Sequence, residues 1–348
     1  SFNVFYHGVE ESEAVKFSFK GIPQGVEFNL QPLEKRTGRK IEVTVDLETP
    51  PASHKVLVLA KSAEQSVRAE TTLRIQPPLI KTPSESFEPT SDANIVKAGD
   101  SLYHSRIERV IGDGLRVEFI LIPKTNSDDP PTFYMMKDKA WNDLFAAFVE
   151  SGTKPDVDPQ WEQGARVTGM DLLAKDHPRN PVFRVMVEDA HACAAWLGGN
   201  LPTRQQWDKA AGLFDDDERF PLGPFKGTWD LETDADRAGE RFGVDRRADG
   251  PLEIGKATDS LSQYGCRDMA GNGYEWTRDI LLSTQAVPLA NPTGLTSVYL
   301  RGQKYTNDQP LLNEDLHNFR ANEIPPPARL YNEPDPYTGF RAVVEFSP

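Results

Sequence analysis

Apolar and polar positions alternate at the start of the chain. The runs AVKFSF, IEVTVDLE, HKVLVLAK and ETTLRI have a period of two, so Ile41, Val43, Val45 and Leu47 share one strand face and Val56 and Val58 another. Gly21-Ile22-Pro23-Gln24-Gly25 and Thr49-Pro50-Pro51 interrupt pairing by freeing or fixing φ and by removing a donor. Short strands at this spacing predict a small all-β immunoglobulin-like sandwich over residues 1–78. Pro77, Pro78, Pro83 and Pro89 then fall among Ser, Thr and Asp, a composition too poor in apolar surface to organise a core. Residues 79–100 are therefore expected to be a proline-rich linker. A second domain is expected over residues 101–348, beginning with the strand-like GLRVEFILIP (residues 114–123), whose latter half is apolar on both faces and reads as buried.

The period then becomes helical. Trp141, Leu144, Phe145 and Phe148 form one stripe behind Asp138 as a candidate cap. Val187, Ala190, Ala194 and Leu197 form a second, closed by Gly198-Gly199. Thr203 and Gln206 have capping-box spacing at the start of a third, which ends near Gly212. Gly and Pro punctuate the chain from there to its end, and few regular elements are expected.

At 348 residues two domains are the natural assumption. No run approaches the roughly 18 apolar residues of a membrane span, so no membrane insertion is expected. A net charge of −14 repels phosphate backbones and anionic lipid, which argues against nucleic-acid partners. Cys193 and Cys266 provide neither a disulfide framework nor a thiolate cluster, and both read as buried thiols. The six histidines show no paired ligand spacing, and no phosphate loop or nucleophile elbow is present. The opening SFNVFYHGVEES has no basic stretch followed by an apolar one, so Ser1 is expected to be a processing boundary with further domains before it.

Four segments carry a family resemblance. DAHACAAWLGGNLPTRQQWDKAAG (residues 189–212), YGCRDMAGNGYEWTRD (residues 264–279), RGQKY (residues 301–305) and TGFRAVV (residues 338–344) resemble, in order, the motifs of the formylglycine-generating-enzyme or sulfatase-modifying-factor family. They cover most of residues 112–348. The resemblance implies an α+β, C-type-lectin-like domain following the β-sandwich. It also implies a Ca²⁺ ion held by Asn272, Gly273 and Glu275, an amide oxygen, a carbonyl and a carboxylate of the hard type calcium prefers. The alternative reading of those residues is a tight turn with Glu275 paired to an arginine. No second ion is expected in residues 225–249, and the acids Asp215, Asp216, Asp217 and Glu218 read as a solvated loop.

The enzymes for which that family is named bind copper through two cysteines five positions apart, just after the Arg-Gly-Gly-Ser element, and oxidise a substrate cysteine. Here the resemblance places Asn307 and Leu312 at those positions, and neither can hold Cu(I). No copper is expected, and formylglycine formation is expected to be absent. What the resemblance leaves is a surface over residues 305–337, with Tyr305, Asn307, His317, Arg320, Arg329 and Tyr331 as candidate ligand-binding residues. A diversified receptor surface, rich in Asn and Tyr, is a variant of this reading. The leading expectation is a non-catalytic binding module for a protein or peptide, the recognition part of a larger bacterial signalling or surface protein in an extracytoplasmic setting. An enzyme using the family groove with other residues, and a structural scaffold, are the alternatives.

Overall fold

The structure is a computed structural model describing residues 2–5, 16–32, 38–46, 49–61, 66–76, 79–112, 114–213, 238–321 and 323–346. The expectations at Leu47 and at the acidic run 215–218 lie outside these residues. The chain divides into two compact units, Ser1–Leu79 and Ile80–Pro348.

The first unit is all β. Strands β1 (Phe2–Phe5), β4 (Gly38–Val45) and β3 (Val26–Pro32) form one antiparallel sheet in the order β1-β4-β3; β2 (Lys16–Lys20), β5 (Ala52–Lys61) and β6 (Ser66–Ile75) form another in the order β2-β5-β6. Ile41, Val56 and Val58 are buried as the alternation requires, whereas Val45 is exposed. The rings of Phe19 and Phe28, one from each sheet, stack with centroids 4.7 Å apart.

The second unit is mixed α/β, with several sheets and few helices. Its centre is a five-stranded sheet in the order β20-β13-β12-β11-β8, made of β20 (Val343–Glu345), β13 (Phe133–Met136), β12 (Leu115–Ile122), β11 (Arg106–Ile111) and β8 (Glu88–Pro89). Small sheets flank it: β7 (Ile80–Lys81) and β9 (Ile95–Ala98) on either side of β10 (Ser101–His104), and the hairpin β14 (Ala165–Val167) with β15 (Met170–Leu172). The period-two pattern of β12 and β13 sorts their side chains to two cores. Phe119, Leu121, Tyr134 and Met136 face a cluster that includes helices α1 (Asn142–Glu150) and α2 (Val187–Trp196). Ile120, Ile122, Phe133 and Met135 face a second with Trp207, Ala210 and Ala211 of α3 (Arg204–Ala211) and Leu316 of α4 (Asn313–Ala321). Burial on both faces explains why the latter half of GLRVEFILIP lacks a polar side.

A four-stranded sheet, β18-β17-β16-β19, lies beyond, built from β16 (Gly273–Ile280), β17 (Ser297–Gln303), β18 (Ala328–Leu330) and β19 (Thr338–Gly339). No helix among the described residues is long and apolar enough to cross a membrane.

Three expectations are corrected. Residues 79–100 are not a linker but part of the second unit: β8 pairs with β11, and Phe87 is buried edge-to-face on Phe119 with ring centroids 5.4 Å apart. Pro89 is tolerated because β8 is an edge strand, where a missing donor breaks no ladder. Asp138 does not cap α1; its carboxylate takes two hydrogen bonds of 2.6 Å from Arg267, and the first amides of α1 go to the carbonyls of Asn180 and Pro178. Helix α4 stands where irregular chain was expected, since a short helix burying only Leu316 has little apolar pattern to read. The capping box of α3 forms in both directions, and Gly212 ends that helix at φ 110°.

All six tryptophans lie between residues 141 and 276, so their fluorescence reports the second unit alone. Phe87→Ala is expected to destabilise that unit by about 3 kcal/mol in denaturant melts followed by tryptophan emission, as for a core phenylalanine; a linker residue would leave the midpoint unmoved.

Candidate functional site

The motif around Glu275 folds into a buried ion network. Glu275 points inward from β16 and is fully buried together with Lys139 and Arg341. Arg341 donates from Nε to Glu275 Oε2 at 2.6 Å and from Nη2 to Oε1 at 2.8 Å. Its remaining hydrogens go to the carbonyls of Met136, Lys137 and Arg267. Lys139 Nζ donates to Glu275 Oε1 at 2.5 Å and to the Gly273 carbonyl at 2.9 Å, and Trp207 Nε1 donates to Oε2 at 3.0 Å. Burial alone drives a carboxyl pKa upward, yet the charges of Arg341 and Lys139 outweigh it and hold Glu275 at about 2. Nearby Asp268, at φ 60°, is buried as well, and that burial raises its carboxyl to about 6 against the pull of Lys139. Two acids and two bases thus share one buried region.

This geometry does not fit a calcium ion at Asn272, Gly273 and Glu275. The Lys139 ammonium bridges Gly273 O and Glu275 Oε1, so a divalent ion on those atoms would meet a positive charge at hydrogen-bond distance. Asn272 is also committed, its Oδ1 accepting from the Leu252 amide at 2.9 Å and its Nδ2 donating to the Leu252 carbonyl at 3.0 Å. Among the described residues, no three His, Cys, Asp or Glu gather in a metal-binding group. The expected ligation is corrected to a tight turn and an ion pair between Glu275 and Arg341.

The two thiols lie apart. Cys193 belongs to the α1/α2 core and Cys266 to the α3 core; both are fully buried. Burial pushes both thiol pKa values up, Cys266 to about 12, so neither is a thiolate at neutral pH. Asn307 Nδ2 donates to Gln303 Oε1 at 2.6 Å, and Leu312 packs against the cluster of Ala238, Phe242, Val244 and Ala270.

The six candidate ligand residues do not form one face. Tyr305 is fully buried, its hydroxyl accepting from the Arg166 amide and donating to the Arg166 carbonyl, with its ring between Phe183 and Tyr337. Tyr331 is buried too, its hydroxyl accepting from the Leu289 amide. Both are corrected from recognition residues to core, because a tyrosine hydroxyl that finds backbone partners is buried at little cost. Asn307 and Arg329 are half-buried, Arg329 pairing with Asp335 at 3.2 Å. His317 and Arg320 are exposed on α4.

Of these six, Arg320 lines a cleft of about 520 Å³ together with Arg204, Gln205, Tyr299 and Arg301. Arg301, almost wholly buried, holds Asp208 through two bonds of 2.5 and 3.0 Å and forms the floor. Arg204 lies with its guanidinium 3.8 Å over the Tyr299 ring, while its backbone amide donates to Asp279 at 2.6 Å. The guanidiniums of Arg204, Arg301 and Arg320 and the carboxylates of Asp208 and Asp279 thus line one cleft. Arg204 and Tyr299 were missed from sequence because their elements, α3 and β17, meet only in the fold; the RGQKY motif was the one available signal.

Removing calcium with a chelator is expected to leave the thermal midpoint of the intact chain unchanged, whereas Glu275→Ala is expected to cost about 3 to 5 kcal/mol by stranding two buried cations. A chelator-induced drop in the midpoint would contradict the network as the occupant of this region.

Comparison with known proteins agrees with the family resemblance. Residues 81–346 match the model of the sulfatase-modifying factor enzyme 1-like domain, beginning before the first motif. The chain is 27% identical over 240 residues to a formylglycine-generating enzyme of Thermomonospora curvata, covering 59% of this chain and 72% of that protein. It is 33% identical over 125 residues to a hercynine oxygenase of Mycolicibacterium smegmatis, where the match spans 35% of this chain and only 27% of the relative. The solved structure of PvdO from Pseudomonas aeruginosa superposes with a TM-score of 0.42 at 15% identity, covering 73% of this chain and 98% of that one. The chain therefore belongs, over residues 81–346, to the sulfatase-modifying factor enzyme 1-like domain family.

Proposed function

We propose that this chain is a non-catalytic binding module of that family, recognising an acidic segment of a protein or peptide through the cleft of Arg204, Arg301 and Arg320. The observation that carries the non-catalytic reading is the placement of the only two thiols. Cys193 and Cys266 are sealed in different cores and protonated, while Asn307 and Leu312 are engaged in polar and apolar packing. Cu(I) chemistry requires soft thiolates in reach of one ion, and neither thiol meets that condition. The support for an acidic ligand is electrostatic. Guanidiniums offer paired donors to carboxylates, and the Tyr299 ring adds flat contact area beside them. In this reading the second unit is C-type-lectin-like, and the first is an immunoglobulin-like sandwich, supported by its two three-stranded sheets and the Phe19–Phe28 contact.

A second reading has one specific support: the matched relatives are named as a formylglycine-generating enzyme and a hercynine oxygenase. An oxygen electrode separates the two. With Cu(I), a cysteine-containing peptide and reductant, no oxygen uptake above the protein-free rate is expected; sustained uptake would overturn the non-catalytic reading.

Fluorescence anisotropy tests the cleft. A labelled glutamate-rich peptide is expected to bind, more weakly as salt rises, and Arg204→Ala and Arg320→Ala are each expected to weaken it by about fivefold. Equal binding of a lysine-rich peptide, or unchanged affinity in both variants, would sink the assignment.

A further inference from the structure

The two sheets of the first unit have four edges among the described residues, and three of them are poor templates for further pairing. β1 has four residues, β2 has five, and β3 ends on Pro32, which has no amide hydrogen to donate. β6 is different. It runs ten residues from Ser66 to Ile75 without a proline, in an unbroken register with β5, so no bulge turns its free side away. Seven residues in a row, Ser66 to Thr72, are exposed, and no strand among the described residues pairs with the outer side of β6.

Two features of that edge define what it accepts. Val56 and Val58 of β5 are buried, and the register sets Thr71 beside Val56 and Ala69 beside Val58. Val67 continues the row and is 61% exposed, so the apolar face runs on past its last covered position. The opposite face carries Arg68 and Glu70, both exposed, and neither enters an ion pair among the described residues.

The exposed segment is its own complement when reversed about Ala69. In an antiparallel pair with two-fold symmetry, Ala69 faces Ala69 of the partner subunit, and Arg68 faces Glu70 of the partner subunit on both sides of the axis. Val67 then lies across from Thr71, two β-branched side chains on the apolar face, and Ser66 from Thr72. Other centres fit less well. At Arg68 or Glu70 the axis sets like charges against each other, and at Thr71 it sets Arg68 against Arg74. A centre at Thr72 reaches Leu73 and Ile75, which the unit already covers in part or in full.

We propose that β6 is a self-association edge, through which two copies of this chain pair antiparallel over Ser66–Thr72 about Ala69 and join two three-stranded sheets into one of six strands. The inference is independent of the arginine cleft and of the ligand assigned to it, so either can fail alone.

Sedimentation equilibrium of the intact chain, over about 1 to 200 µM, is expected to show a reversible monomer and dimer. Arg68→Glu sets two glutamates against Glu70 and is expected to weaken the dimer by at least about tenfold, whereas Arg68→Glu combined with Glu70→Arg is expected to restore it. Both positions are exposed, and circular dichroism is expected to match the parent in each variant. Cross-linking reads the register. Facing residues lie about 4.5 to 5.5 Å apart between Cα atoms, within disulfide reach, so mild oxidation of Ala69→Cys is expected to give a covalent dimer. Thr72→Cys, roughly 20 Å from its own copy in this register, is expected to give none. The native thiols Cys193 and Cys266 are buried and do not compete. A chain that stays monomeric throughout, leaving the edge to a strand of a different protein, overturns the proposal. So does a dimer that Arg68→Glu leaves unchanged or the double exchange fails to restore, or equal cross-linking from both cysteine positions.

Discussion

The second unit depends on keeping one fully buried carboxylate charged. Glu275 collects Arg341 from the C-terminal segment, Lys139 from the chain after β13, and Trp207 from α3, so three distant stretches meet on one side chain. An isolated buried ion would be prohibitively costly, and each partner is tolerated only because the others are present. Such a network adds little net stability over an apolar filling, but it makes alternative packings costly, because any shift strands a charge. The extra bonds from Arg341 to the carbonyls of Met136, Lys137 and Arg267 tie the central sheet to the loop before β16.

The same network explains why a motif that resembles a metal site need not hold a metal. The negative charge of Glu275 and the Gly273 carbonyl require a cation, and the protein provides its own in Lys139. An ammonium satisfies that requirement with three directed donors and no coordination sphere to complete. Lys139 lies more than a hundred residues before Glu275, so the resemblance that implied calcium carried no sign of it.

The arginine cleft uses charge differently from the buried network. Asp208 holds the Arg301 guanidinium with two bonds, and Asp279 accepts from the Arg204 amide, so the carboxylates fix where the cations stand. The cleft is assembled from residues on separate elements, and of the candidates on the 305–337 surface only Arg320 lines it. There Tyr305 and Tyr331, read as recognition residues by their type, turned inward because backbone groups of Arg166 and Leu289 met their hydroxyls.

What the chain's own order determined is local in its physics. Period-two alternation placed Val56, Val58 and strands β2, β4, β5 and β6 of the first unit, but not β1 or β3; the apolar stripes placed α1 and α2, and Thr203 with Gln206 set the start of α3, since each depends on neighbours a few residues away. The family motifs were likewise legible, and with them the loss of thiols at positions 307 and 312. Tertiary structure alone decided that residues 79–100 join a core, that α4 forms, that Lys139 meets Glu275, and that Arg204, Arg301 and Arg320 share a cleft. Those outcomes rest on charges and rings brought together across long stretches of chain, where the deciding quantity is which partner removes a group from water, and no spacing along the sequence encodes that distance.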